Sequence, residues 1–220
     1  MNSMFIWDTS LESINLSNFD TSNVTNMVFM FYGCSSLTTL DVSNFNTSKV
    51  TDLRTMFGSC SGLTSLDLSN FNTSKVTNMS SMFQKCANLI KLNLSNFDTS
   101  NVVDMSWMFH GCNSLKNLNL SNFDTSKVTT MRSMFHMCNS LTNLDLSSFD
   151  TSKVTDMNTM FYYDNSLTYI NFKKADFSNV TTYGEMFFLL PSNLNIVAKD
   201  STAKTWLEDK LGGKGTVVIA

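Results

Sequence analysis

The 220-residue chain is poor in several features that mark common functional classes. It has one proline, eight glycines, two histidines and only 15% charged residues. A formal net charge of −3 argues against a nucleic-acid-binding protein, which normally carries a basic patch. Because no run of about 18 apolar residues occurs, we expect no membrane insertion. Residues 1–7 lack the basic start and apolar stretch of a signal peptide.

Phenylalanine and methionine are abundant instead, with 18 and 15 residues. They recur with a period of 26, and a fixed period indicates a repeat architecture. Seven copies of the unit begin at Leu11, Leu37, Leu63, Leu89, Leu115, Leu141 and Leu167. The chain therefore divides into a partial repeat at 1–10, seven 26-residue repeats at 11–192 and a C-terminal capping segment at 193–220.

Each repeat contains two patterns of apolar residues. In the third copy, Leu66 and Leu68 alternate with polar residues, which predicts a short strand. A helical face is predicted from the spacing of Val76, Met79, Met82, Phe83 and Cys86, and the preceding Thr73 is then a helix cap. We predict an α/β repeat fold, a leucine-rich-repeat-like solenoid with a parallel sheet of short strands on one face and short helices on the other.

The two ends of the array differ. Residues 194–197 and 216–219 read as strands around a helix that Ser201 begins and Gly212 ends, so the capping segment is predicted to be strand, helix, strand. The N-terminus starts inside a repeat, at Met4-Phe5. We therefore expect the chain to be part of a longer protein.

The repeat consensus is Cys-x-x-Leu-x-x-Leu-Asp-Leu-Ser-Asn-Phe-Asp-Thr-Ser-Lys-Val-Thr-x-Met-x-x-Met-Phe-x-x-Cys. It resembles the BspA-like leucine-rich repeat family, and more narrowly its bacterial surface-protein 26-residue repeat, over roughly residues 4–190. The resemblance implies a secreted or wall-anchored bacterial protein, located at the cell surface, whose solenoid mediates adhesion or binds a host ligand. The ligand is an unidentified host or surface protein or glycan.

The cysteines raise the question of disulfide or metal chemistry. All five occupy one repeat position, at Cys34, Cys60, Cys86, Cys112 and Cys138, which predicts a row of buried free thiols rather than paired bridges. Zinc binding by His110, Cys112, His136 and Cys138 is the alternative. Other repeats have Tyr32, Gly58 or Gln84 at the histidine position, so we predict no metal site and no cofactor. No catalytic constellation appears, and we predict that the chain is not an enzyme.

The outward positions of the strands are the predicted binding site. One position varies between repeats, as Ser65, Lys91, Asn117, Asn143 and Tyr169, and variation on a constant scaffold is where a repeat protein encodes its partner. A second position is always Asp or Asn, as in Asp41, Asp67, Asn93, Asn119 and Asp145. The alternative is that these Asp, Asn and Ser rows only hydrogen-bond along the stack. In that case the array is a rigid spacer that displays other domains.

Overall fold

The computed structural model describes residues 1–220, which wind into a stack of coils with one repeat per coil. Six strands and one helix are regular: β1 Ser65–Asp67, β2 Lys91–Asn93, β3 Asn143–Asp145, β4 Tyr169–Phe172, β5 Asn195–Ala198, α1 Ser201–Leu211 and β6 Thr216–Ile219. All strand pairs are parallel. The predicted leucine-rich-repeat-like solenoid is confirmed.

The parallel sheet forms in two parts. β1 pairs with β2, and the second sheet has the order β3-β4-β5-β6. The register is one full repeat, so that Ser65 lies beside Lys91 and Asn143 beside Tyr169. Residues 13–15, 39–41 and 117–119 hold the equivalent place in their coils but are not strands. Regular strand pairing is therefore local.

The prediction of short helices in the repeats was wrong. The expected helix of the third repeat is a chain of turns over residues 79–86, and we call this stretch and its equivalents the turn segments. The N–H groups of Ser81 and Phe83 donate to carbonyl oxygens of the next coil, at 2.8 and 2.9 Å. Between them, the N–H of Met82 donates to Met79 O three residues back, at 3.2 Å. Half of the donors thus join coils, whereas a helix would use them all internally.

Left-handed backbone at two positions of every turn segment explains why no helix forms. In the third repeat these positions are Ser81 (φ 56°) and Lys85 (φ 58°). A left-handed residue interrupts a right-handed helix, and it normally favours glycine. Here only Gly33 and Gly111 are glycines, and the other positions carry Ser, Thr, aromatic or long side chains. The sequence therefore contains no glycine signal for these turns.

Replacing Gly111 by alanine tests the turn conformation. Gly111 has φ +72°, and an added Cβ would meet nothing closer than Lys85 Cγ at 3.4 Å. We expect a loss of about 1 kcal/mol in the free energy of unfolding, because alanine disfavours this backbone. In a helix the same change would stabilise by about 1 kcal/mol. Gly184→Ala is the matched control in urea unfolding. Gly184 has no positive φ, and an added Cβ would meet only the Asn158 side-chain amide, at 3.2 Å, so the control should lose less stability than Gly111→Ala.

The core was predicted correctly even though the local conformation was not. Val76, Met79, Met82, Phe83 and Cys86 are all buried. The phenylalanines of the Met-Phe pairs form one continuous stack, with neighbouring ring centroids 5.7–5.9 Å apart from the Phe31–Phe57 pair to the Phe161–Phe187 pair. Every coil buries the same side chains against the next, so stability comes from stacking.

The threonine row is a ladder between coils, which corrects its prediction as a set of helix caps. Thr73 is buried, and its hydroxyl donates to Asp98 O at 2.8 Å. The N–H of Asp98 donates back to the Thr73 hydroxyl at 2.8 Å. The same buried position is held by Thr21, Thr47, Thr99, Thr125 and Thr151. A hydroxyl suits this position because it both donates to and accepts from the backbone of the next coil.

β5, α1 and β6 follow the last turn segment. Asp200, rather than Ser201, caps α1, and its carboxylate accepts from Ala203 N–H at 2.9 Å. Gly212 ends the helix in the left-handed conformation, as predicted from the sequence. Trp206 stacks on Phe177 with ring centroids 4.6 Å apart. The chain contains no helix with the length and apolar character that crossing a membrane requires.

Candidate functional site

The outward side chains of the strands form one surface, which we call the strand face. Its variable row consists of Ser65, Lys91, Asn117, Asn143 and Tyr169. The first four are exposed and Tyr169 is half-buried. The intervening leucines point into the core, since Leu66 and Leu144 are 3% and 0% exposed. The structure therefore brings the predicted binding residues to one side of the array.

The Asp and Asn row of the strand face also makes local hydrogen bonds that shape the coils. Asp67 Oδ1 accepts a hydrogen bond from Ser69 N–H at 3.0 Å, two residues on. The same local bond is made by Asp41, Asn93, Asn119 and Asp145 with Ser43, Ser95, Ser121 and Ser147. Such bonds define an Asx turn, which ends each strand. This row therefore shapes the coil, and its members are less free to adapt to a ligand.

Hydrogen bonding favours the charged form of two carboxylates of this row, Asp41 and Asp67. The side-chain and backbone hydrogen bonds from Ser43 lower the pKa of Asp41, and those from Ser69 do the same for the pKa of Asp67. A bond along the stack joins Asn93 Nδ2 to Asp67 Oδ1 at 2.9 Å. A shallow groove of about 450 Å³ lies beside Asp41 and Asp67. The strand face thus offers fixed negative charge next to the variable row.

The cysteines line the core side of the turn segments. All five are buried and unpaired. The Cys112 thiol donates to Phe83 O at 3.2 Å, and the other four thiols make the equivalent bond. Burial raises the pKa of the Cys112 thiol to about 12, so it stays protonated. The thiols are therefore packing groups with a weak hydrogen bond.

The four residues of the zinc alternative do not converge. The thiols of Cys112 and Cys138 point to carbonyl oxygens in the core. His110 and His136 instead pack edge to face, with ring centroids 4.6 Å apart. No group of three or more His, Cys, Asp or Glu side chains in the structure is placed to hold a metal ion.

Asp164 is a buried residue that the sequence reading missed. It lies one repeat after Cys138, at the position that cysteine holds in the five preceding coils, and it is 0% exposed. Its Oδ1 accepts from Cys138 N–H at 2.7 Å, and its Oδ2 has no partner. Burial raises the pKa of this carboxyl well above its ordinary value. Following the cysteine row one repeat further along the sequence would have revealed it.

Comparison with known proteins identifies the family. Residues 1–93 and 85–197 each match the model of a family described as Mycoplasma protein of unknown function, DUF285. The chain belongs to the DUF285 family. The two DUF285 matches cover the whole repeat array, and this match confirms the recognition of a BspA-like repeat. A search of curated proteins finds no match.

Among solved structures, the DUF285 chain is similar to a leucine-rich repeat protein from Bacteroides ovatus. The two are 19% identical, with a TM-score of 0.39, over 80% of this chain and 53% of that protein. The chain thus spans about half the length of that relative.

Proposed function

We propose that this array is a non-enzymatic binding module of a bacterial cell-surface protein, and that it presents the strand face to a host or surface ligand. The proposal rests on one observation, which is that the two rows of that face have different roles. The Asp and Asn row is held in turns, whereas Lys91, Asn117 and the rest of the variable row are exposed and vary between coils. Such a surface can change its partner without changing its fold.

An extracellular, adhesive role is supported by the resemblance to bacterial surface-protein repeats. The buried thiols agree with such a location, because thiols with raised pKa values and no solvent contact resist oxidation. The ligand is a protein or glycan, and the polar, weakly charged surface favours neither nucleic acid nor membrane.

A rigid spacer is the second candidate, and the inter-coil bonds favour it. The threonine ladder and the turn segments tie each coil to the next at several points. An array connected in this way keeps its length when it is loaded, and it would display other domains at a fixed distance.

A combined substitution separates the two functions. Replacing Lys91, Asn117, Asn143 and Tyr169 by serine, the residue at Ser65, should weaken binding to the best ligand among immobilised extracellular-matrix proteins and glycans more than tenfold. The melting temperature should hardly change, because these side chains are outside the core. The control replaces exposed Lys75 and Lys153 by serine and should bind normally. If the unmodified array captures no ligand, the spacer function is favoured.

A further inference from the structure

The two histidines of the chain lie against each other. His110 and His136 hold the same position in the turn segments of the fourth and fifth repeats, and Gln84 and Tyr162 hold it in the repeats on either side. The two imidazole rings pack edge to face, with centroids 4.6 Å apart. The array therefore contains one place, and only one, where neighbouring coils meet through a pair of imidazole groups.

Each ring of the pair buries a nitrogen atom that has no partner. The Nδ1 atoms of His110 and His136 are both inaccessible and make no hydrogen bond. His110 is 7% exposed, and Trp107 packs edge-on against its ring with centroids 4.8 Å apart. Trp107 also lies against His136, at 6.1 Å. These surroundings favour neutral rings, because no acceptor is present to compensate the charge of an added proton.

No carboxylate acts on either ring to favour the charged form. The charged neighbour of His110 is Lys85 of the preceding repeat, which has the same sign as an imidazolium. The thiols of the cysteine row stay protonated, and burial raises the pKa of Asp164 in the following repeat, which favours its neutral form. Tyr162 packs against His136 with a neutral phenol ring, at 4.8 Å. Burial, His136 and Lys85 lower the pKa of His110 to about 4, and burial lowers the pKa of His136.

The pair lies at the backbone hydrogen bonds that join the fourth repeat to the fifth. The N–H groups of Trp107, Phe109 and Gly111 donate to carbonyl oxygens of residues 132, 134 and 136, at 2.8, 2.9 and 2.8 Å. The last of these acceptors is the carbonyl of His136 itself. A protonated ring is solvated only when it leaves the contact, and its backbone carries part of this joint.

We propose that the His110–His136 pair is an acid-sensitive joint, at which mild acid opens the turn segments between the fourth and fifth repeats while the other coils stay stacked. Two neighbouring imidazolium rings beside Lys85 repel one another, and separation of the coils lets water reach them. Deprotonation restores the neutral pair, so the opening is reversible. This device is independent of what the strand face binds.

The direction of the pH dependence follows from the lowered pKa values. An unfolded histidine has a pKa of about 6.5, so the neutral pair contributes its full stability above that pH. This contribution is lost as pH falls from there towards 4, the pKa of folded His110. Asp164 acts in the opposite direction, because its raised pKa favours the folded chain in acid. Variants that all retain Asp164 therefore isolate the effect of the histidines.

Hydrogen exchange at pH 7 and pH 5, corrected for the intrinsic exchange rates, tests the proposal. The amides of Trp107, Phe109 and Gly111 should lose about tenfold or more of their protection at pH 5, the size expected for a histidine with this change in pKa. The amide of Phe31 donates to Met56 O in the equivalent bond between the first two repeats, at 2.9 Å. Its protection should change by less than about twofold.

Substitution of the histidines removes the titrating groups. His110→Phe keeps a ring against Trp107, and His136→Tyr introduces the residue that the next repeat has at this position. Each should reduce the loss of protection at pH 5, and the double variant should abolish it. Met137→Ala is the control, because it truncates an exposed side chain beside the pair and should respond to pH as the unmodified chain does.

Three results would overturn the acid-sensitive joint. The first is equal protection of the three amides at pH 7 and pH 5. The second is an undiminished loss in both single histidine variants, which would assign the pH effect to other groups. The third is an equal loss at Phe31, which would show that the array unfolds as a whole. Binding to the strand face enters none of these measurements, so the proposed function can fail while the joint stands.

Discussion

Replacing Phe83 by alanine is expected to lower the free energy of unfolding by about 3–5 kcal/mol. Phe83 is fully buried in a central coil, and its ring lies between Phe57 and Phe109 at centroid distances of 5.9 and 5.7 Å. Alanine would leave a cavity that these neighbours cannot fill, because each is fixed in its own coil. Urea unfolding followed by fluorescence and circular dichroism measures the loss.

The matched control is Phe188→Ala, one position away from the same stack. Phe188 is 43% exposed in the last turn segment, so the loss should stay below about 1 kcal/mol. Phe83→Ala weakens the interface between two coils in the middle of the array, and the repeats on either side can then unfold separately. Fluorescence and circular dichroism should therefore no longer give the same unfolding transition for this variant. Equal effects of the two substitutions would contradict the packing described above.

The second large effect is a gain in stability. Replacing Asp164 by cysteine should raise the free energy of unfolding at neutral pH by about 1–3 kcal/mol, the usual cost of a buried unsatisfied polar group. Asp164 lies one repeat after the last of the five cysteines in their row, and its Oδ2 has no partner. Cys138 N–H, which donates to Asp164, also donates to Phe135 O at 2.9 Å, so it stays bonded.

The gain should depend on pH in a defined direction. Burial raises the pKa of Asp164, so the folded chain holds this proton more tightly than the unfolded chain. Stability is therefore lost as pH rises above the unfolded pKa of about 3.9. The advantage of Asp164→Cys should be largest near pH 7 and should shrink as pH falls towards 4. Urea unfolding across this range measures it.

Asp145→Asn is the control for the loss of one negative charge. Asp145 is exposed on the strand face, and asparagine occurs at its position in other repeats. Its Oδ1 bond to Ser147 N–H can be kept by the amide oxygen. Stability should change by less than about 0.5 kcal/mol at any pH in the range. A gain for Asp164→Cys that is independent of pH would show that the carboxyl is not held protonated.

The sequence was sufficient to predict the coils and their core. Apolar spacing identified Leu66, Val76, Met82 and Phe83 as buried, and all of them are. It could not predict the turn segments, because intervals of three and four residues suit a chain of turns as well as a helix. The deciding feature, left-handed backbone at positions such as Lys85, is imposed by hydrogen bonds to the next coil, which no local pattern reveals.

The candidate sites were predictable to different degrees. Alternation placed Lys91 and Asn117 on the strand face, because side chains in a strand point to opposite sides in turn. The Asx turns of Asp67 and its equivalents were not predicted from the sequence, although each is a local hydrogen bond to the residue two positions on.

The central structural claim is that the repeats fold without helices, and far-UV circular dichroism tests it most directly. The structure predicts a helical content near 5%, since α1 supplies 11 of 220 residues. Seven helices the length of residues 76–86, added to α1, would instead raise it to about 40% of the chain. A weak helical signal is the expected result, and a helical content of about 40% would contradict the stack of turn segments.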